Sequence, residues 1–443
     1  MKITLGEEQV VAIGPRYEDS YWGQFQFVQM MKGENGKVAL TFHNGDDVWE
    51  ELGTADLWYT TDNWGASWEK LDDPKKVKKG LRLANGDYLR HDGRPAKALN
   101  LDEVQAPVWT GNYTIPSDDL HAKSTDVNKL PLPVGHKHDI WKQKWCVYHV
   151  DRLPDGLYDH LHAWPQLRTK AGEEEETFEW AELKNWENMG LQMMFPTTRN
   201  VAIPLMPQFL GRSYQQGPDG KLWAATYWAG MNPKNGAFSP YSSVYVLNSE
   251  DDGHSWTLQG HVPYIPDNDE YENAFMVGGF SETALTFNQD GSMSMILRIT
   301  DVFMGDKEWA PSYITRSTDQ GKTWSKPVRF DDVGVLPGVC QMGDVTLAIY
   351  GRPGIYVRGT TDPAGMAWEA PVEVMTNEDR SVLMNARPER VNFHMWAGSC
   401  CNCAIVALDD THALIGYSDF YHLCEDGVRR KSIKTRIVTV EKD

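Results

Sequence analysis

One turn is written into this chain several times. The segments Ser249-Glu250-Asp251-Asp252-Gly253-His254-Ser255-Trp256 and Ser317-Thr318-Asp319-Gln320-Gly321-Lys322-Thr323-Trp324 both read Ser-x-Asp-x-Gly-x-Ser/Thr-Trp. Residues 61–68 form a third copy, read with one extra residue before Gly65, and 361–368 form a degenerate fourth. In such a turn the Asp carboxylate accepts backbone N–H bonds of its own loop, the Gly takes φ > 0, and the Trp packs beneath. A turn repeated along one chain implies a repeated structural unit, and that constrains the fold more than any bulk property.

The context of each turn is also repeated. Apolar or alternating runs surround Asn35-Gly36, Asp219-Gly220 and Asp290-Gly291, and each such pair precedes one of the Asp turns. Period-2 runs joined by Asn-Gly or Asp-Gly are hairpins. A four-stranded unit of roughly 40–50 residues is a propeller blade. Residues 1–443 are therefore expected to form a single all-β domain, a six-bladed β-propeller. Its blades fall at about 21–70, 71–200, 201–265, 270–330, 333–375 and 390–443. The second blade is much expanded, and seven blades is the alternative count. Residues 9–13 are expected to complete the last blade as a seam between the termini.

Charge narrows the partners. The formal net charge is −19, which argues against nucleic acid and anionic membrane surfaces. No apolar run reaches 18 residues, and residues 1–8 lack the apolar core of a leader. The expectation is a cytoplasmic protein, or a secreted one whose leader was trimmed. The run Glu173–Glu176 reads as a solvated loop or short helix. Cys400, Cys401 and Cys403 lie close together, but their spacing is not that of zinc pairs. They are expected to be free thiols, with no metal and no cofactor.

The Asp turns, the blade count and the motif order resemble the sialidase superfamily, with its propeller of Asp-box repeats. The resemblance covers most of the chain, with 71–200 the weakest part. Its strongest element is Glu282, an Asp290-Gly291 turn and Arg298, sixteen residues after the Glu. The resemblance implies that Glu282 is a catalytic base or nucleophile and that Arg298 and Arg352 bind substrate. In the first blade it sets Gln26 where the family has an arginine. It places the general acid in the loop after His43, with Glu50 first and Asp47 second, and Asp46 and Glu51 close by. In the last blade Asn402 stands where the family has its nucleophilic tyrosine.

Loss of that tyrosine and one arginine implies a substrate with no carboxylate on its anomeric carbon. Ordinary carboxylate-pair chemistry then suffices. The resulting expectation is an exo-acting glycoside hydrolase on a terminal sugar of a glycan, with a uronic or other acidic sugar among the candidates. Trp22, Trp49 and Trp396 are candidate stacking platforms. Two alternatives stay open. One is a lyase at a uronic acid, with a base such as His43, His394 or a histidine of 136–138 or 160–162. The other is a non-catalytic glycan-binding propeller.

Overall fold

The computed structural model describes residues 1–20, 23–33, 36–45, 56–73, 77–91, 112–113, 145–146, 163–185, 191–192, 214–231, 238–264, 279–300, 302–304, 307–309, 311–352, 354–376 and 402–442. Among them the chain is all-β, with several sheets, no α-helix and a single 3-10 turn with named bounds, Tyr17–Asp19.

The strands run as antiparallel meanders. The first orders Gln26–Lys32, Val38–His43, Asp56–Thr61 and Glu69–Lys70. The second orders Leu81–Arg82, Tyr88–His91, Ala163–Thr169 and Thr177–Lys184. The third orders Gln215–Gln216, Leu222–Met231, Phe238–Ser249 and Ser255–Val262. The fourth orders Gly279–Phe287, Met293–Thr300, Ser312–Ser317 and Val328–Asp331. The fifth orders Val335–Met342, Val345–Gly351, Ile355–Thr360 and Val372–Met375. The last orders Ala404–Ala407, His412–Leu423 and Arg429–Glu441. Gln9–Ile13 pairs with Arg429–Glu441, as the sequence suggested. Lys2–Leu5 pairs with that strand too, which the sequence did not suggest.

The leading strands of neighbouring meanders lie side by side and run the same way. Ala404–Ala407 packs between Gln26–Lys32 and Val335–Met342, and the latter packs against Gly279–Phe287. At their trailing ends, Lys32 Nζ donates to Leu408 O (2.7 Å), and Gly343 faces the Asp410 side chain. At the leading ends of the fourth and fifth meanders, Leu336 N–H donates to the Glu282 carboxylate (2.7 Å). The starts of these leading strands thus share one end of the assembly. The ends of the second strands, at His43, Arg298 and Gly351, share it as well, because each is antiparallel to its leading strand.

The Asp turns occupy the opposite end. Asp251 Oδ1 accepts Ser249 Oγ–H (2.8 Å) and Ser255 N–H (2.8 Å), and Gly253 N–H donates to Ser249 Oγ (2.9 Å). Asp319 repeats the pattern with Ser317 (2.9 Å) and Thr323 (2.9 Å). In the first copy the acid's place is taken by Asn63, not Asp62. Asn63 Oδ1 accepts Thr61 Oγ1–H (2.8 Å) and Ser67 N–H (3.0 Å). That copy therefore has no extra residue, which corrects the sequence reading. The extra residue belongs to the degenerate copy, which starts at Thr360. There Asp362 accepts from Ala364, Met366 and Ala367 N–H (3.1, 3.0 and 2.9 Å).

Each turn docks on the meander before it. Arg168 Nη2 and Gln166 Nε2 donate to the carbonyls of Asp252 and Gly253 (2.8 and 2.7 Å). Gln259 Nε2 donates to Gln320 O (3.2 Å), and Asn288 Nδ2 to Ala364 O (2.9 Å). The turn at 61–68 docks on the last meander, with Trp68 Nε1 donating to Thr435 Oγ1 (3.2 Å). The first and last parts of the chain are thereby joined. Trp256 is fully buried beneath its turn, and burying a side chain of this kind stabilises by about 3 kcal/mol.

Candidate active site

The end where the leading strands start carries buried charge. Glu282 lies in a β-bulge of Gly279–Phe287, because the pairing with Met293–Thr300 shifts between Ser281 and Thr283. A bulge re-aims one side chain out of the alternation. Arg298 closes the same hairpin, and its Nη1 lies 2.8 Å from Glu282 Oε1. Glu282 Oε2 accepts Leu336 N–H (2.7 Å) from the next meander. Glu282, Arg298 and Arg352 are all buried.

Burial alone would raise the Glu282 carboxyl. The Arg298 charge and hydrogen bond, the Arg352 charge and the Leu336 N–H outweigh it and hold the group below the usual carboxylate range. Glu282 is therefore ionised at neutral pH. Arg352 follows the second strand of the fifth meander. Two residues earlier, Tyr350 donates to Asp331 Oδ2 (2.6 Å), tying that strand to the fourth meander.

Backbone strain marks the same end. Eight non-glycine residues among those described have positive φ. Three of them, Trp64, Asp252 and Gln320, belong to the Asp turns. Four others flank the leading-strand starts: Phe25 (63°), Phe27 (53°), Leu336 (40°) and Arg352 (72°). Bulky residues there are costly, and such outliers cluster at functional sites. The φ of Leu336 accompanies a second bulge, between Val335 and Gly338. It is this irregular backbone that delivers the Leu336 N–H to Glu282.

The first meander contributes a row across three strands. His43 is the cross-strand partner of both Gln26 and Asp56. Gln26 and His43 are buried, and His43 Nδ1 lies 3.3 Å from Asp56 Oδ1. Asn402, just before the last meander's leading strand, is buried too.

Of the residues singled out in the sequence, Glu282, Arg298 and Arg352 form one electrostatic cluster. Gln26, His43 and Asn402 lie at the same end by strand order. Asp46, Asp47, Trp49, Glu50 and Glu51 lie outside the described residues, as do Trp22, His394, Trp396, Cys400, Cys401 and the histidines at 136–138 and 160–162. Sequence reasoning missed Asp56 and the Leu336 amide. Asp56 was hidden because it lies thirteen residues from His43 in the sequence, and the amide because a backbone donor leaves no residue-type signal.

No family model and no curated protein matches this chain. Among solved structures it is similar to a protein of unknown function from Dyadobacter fermentans, at 16% identity and TM-score 0.49, over 99% of each chain. It is similar to the NanB sialidase of Streptococcus pneumoniae at 11% identity and TM-score 0.48, over 97% of this chain and 70% of that one. It is also similar to an α-L-arabinofuranosidase of Fusarium graminearum at 12% identity and TM-score 0.44, over 97% of each chain. What the site can do rests on its own residues.

Proposed function

We propose that this chain is a six-bladed, sialidase-like β-propeller and an exo-acting glycoside hydrolase that removes a terminal sugar from a glycan. One observation carries the reading. A buried, ionised carboxylate, Glu282, sits with two buried arginines at the end where the leading strands start. An ionised carboxylate suits a nucleophile, and it cannot be the general acid. Arg298 and the Leu336 N–H hold one Glu282 oxygen each and fix the orientation of the carboxylate.

Arg298 and Arg352 bind sugar hydroxyls or a peripheral carboxylate through their planar donor forks. The acid comes from the first-blade segment that carries His43, Asp47 and Glu50, while Trp22 and Trp49 offer stacking faces. Gln26 and Asn402 replace the arginine and tyrosine of the sialidase pattern. A carboxylate nucleophile would be repelled by a carboxylate on the anomeric carbon, so the sugar attacked carries none there. The formal net charge of −19 disfavours nucleic acid and anionic membranes as partners.

The test is a panel of 4-methylumbelliferyl glycosides of neutral sugars, uronic acids and sialic acid. The expected result is release from at least one non-sialoside, abolished by Glu282→Gln, with little release from the sialoside. A product with new ultraviolet absorbance from uronic-acid glycans would instead mean a lyase. Glycan bound but unaltered would mean a binding propeller.

A further inference from the structure

We infer that Asp56 is the positioning residue of His43, and that the two form the proton-transfer pair of the proposed glycosidase site. The inference rests on that reading and names the group that protonates the leaving oxygen.

The geometry is that of a histidine oriented through its Nδ1. Gln26, His43 and Asp56 come from three adjacent strands in direct register, and cross-strand partners project from the same face. His43 is buried, and Asp56 is the more exposed of the pair, at 23% for its side chain. An Asp oxygen 3.3 Å from Nδ1 accepts the Nδ1–H, so Nε2 is bare in the neutral ring and carries the transferable proton in the imidazolium. The same carboxylate stabilises the imidazolium whenever the ring carries both protons, as in other Asp–His pairs.

The surroundings hold this arrangement in place. Phe25 N–H donates to His43 O (2.8 Å), and the Phe27 ring centroid lies 6.1 Å from that of His43. Both phenylalanines have positive φ and flank Gln26, so strained backbone is concentrated on the strand beside His43. A second aspartate–histidine pair among the described residues, Asp409–His412, contrasts with it. It is a local pair three residues apart, at the opposite end, where Asp409 also accepts the N–H groups of Thr411 and His412 (2.7 and 2.8 Å). That pair is turn chemistry. The His43 pair joins residues thirteen apart on two neighbouring strands, at the end that carries Glu282.

The reaction then balances. The C1–O bond of the glycoside breaks, and its electron pair stays on the leaving oxygen, which takes the proton from His43 Nε2. A Glu282 oxygen forms the new bond to C1. Water then attacks C1, its proton passes to His43 Nε2, and Glu282 leaves as the carboxylate. Both side chains are restored.

The test compares 2,4-dinitrophenyl glycosides, whose leaving group departs without a proton, with methyl glycosides, whose leaving group needs one. Both are made with the sugars of the panel above. In the full-length protein, His43→Gln and Asp56→Asn should lower kcat on the methyl glycoside by about 10²-fold or more. On the dinitrophenyl glycoside kcat/KM, which reports the bond-breaking step alone, should fall less than about tenfold, and Asp56→Glu should recover part of the methyl-glycoside rate. A purely structural role would lower both rates alike, and that result overturns the inference. Nitrogen-15 NMR of His43 gives a readout apart from turnover. The neutral ring should carry its proton on Nδ1, and Asp56→Asn should remove that preference. An Nε2-protonated ring in a protein that releases sugar overturns the pair alone. An Nδ1-protonated ring in a protein that releases no sugar overturns the glycosidase reading and the proton-transfer role with it.

Discussion

The two ends of the meanders hold their carboxylates in opposite ways. At the turn end, Asp251, Asp319 and Asp362 accept bonds from residues two to five positions along their own loops. The Asp319 carboxyl is drawn down to about 2 by the Thr323 hydroxyl and amide, with Ser317 and Lys322 adding to it. At the site end, Glu282 is held by Arg298, sixteen residues on, and by the Leu336 amide, fifty-four residues on. One end is built from local hydrogen bonds repeated as a motif. The other exists only after separate meanders meet. The first kind of site serves the fold and the second is the proposed site of chemistry, so mutations at the two ends should separate the two effects.

The largest effect should come from Glu282→Gln. Turnover should fall by about 10³-fold, read as kcat on whichever glycoside the panel identifies. Because the residue is buried and ion-paired, the change should also cost about 3 kcal/mol in urea unfolding, since it leaves Arg298 without its counter-charge. Unchanged activity would remove the nucleophile. Unchanged stability would show that the ion pair is not structurally important.

Gly260→Ala tests the docking of turns. A Cβ there would collide with the Gly321 and Lys322 carbonyls, where the third and fourth meanders meet. The expected loss is about 2 kcal/mol of stability, with kcat unchanged. A fall in kcat at full stability would mean that the two ends are coupled.

A smaller effect is expected from pH. The Asp319 carboxyl lies lower in the folded chain than its ordinary 3.8. Its contribution is therefore fully present above about pH 4 and is lost as pH falls toward 2. Stability measured over that window should decline less steeply in Asp319→Asn than in the parent. Equal slopes would show that the turn carboxylate is not coupled to folding.

The smallest effect should come from Asn63→Asp. This restores the acid in the only well-formed copy that lacks it, among the described turns. Charge-assisted bonds to the Ser67 amide and hydroxyl should add about 0.5 kcal/mol, with no change in activity. A destabilisation would mean that the Asn63 amide donation to Ser67 Oγ (2.8 Å) matters more than the charge.

The sequence by itself determined what is short-range. The Ser-x-Asp-x-Gly-x-Ser/Thr-Trp turns, the Asp-Gly hairpins and the all-β class follow from bonds closed within a few residues. Such bonds depend only on residue type and spacing. Even there, the register of 61–68 was misread, because Asn63 does an aspartate's work. Glu282, Arg298 and Arg352 were found from a family pattern, since nothing local distinguishes them from other charged residues at hairpin ends. Only the tertiary structure decided which groups surround them. The bulge at Glu282, the φ of 40° at Leu336 and the His43–Asp56 register arise when strands far apart in the chain come into contact. Those contacts fix the burial and counter-charges that keep Glu282 ionised, and no sequence window contains them.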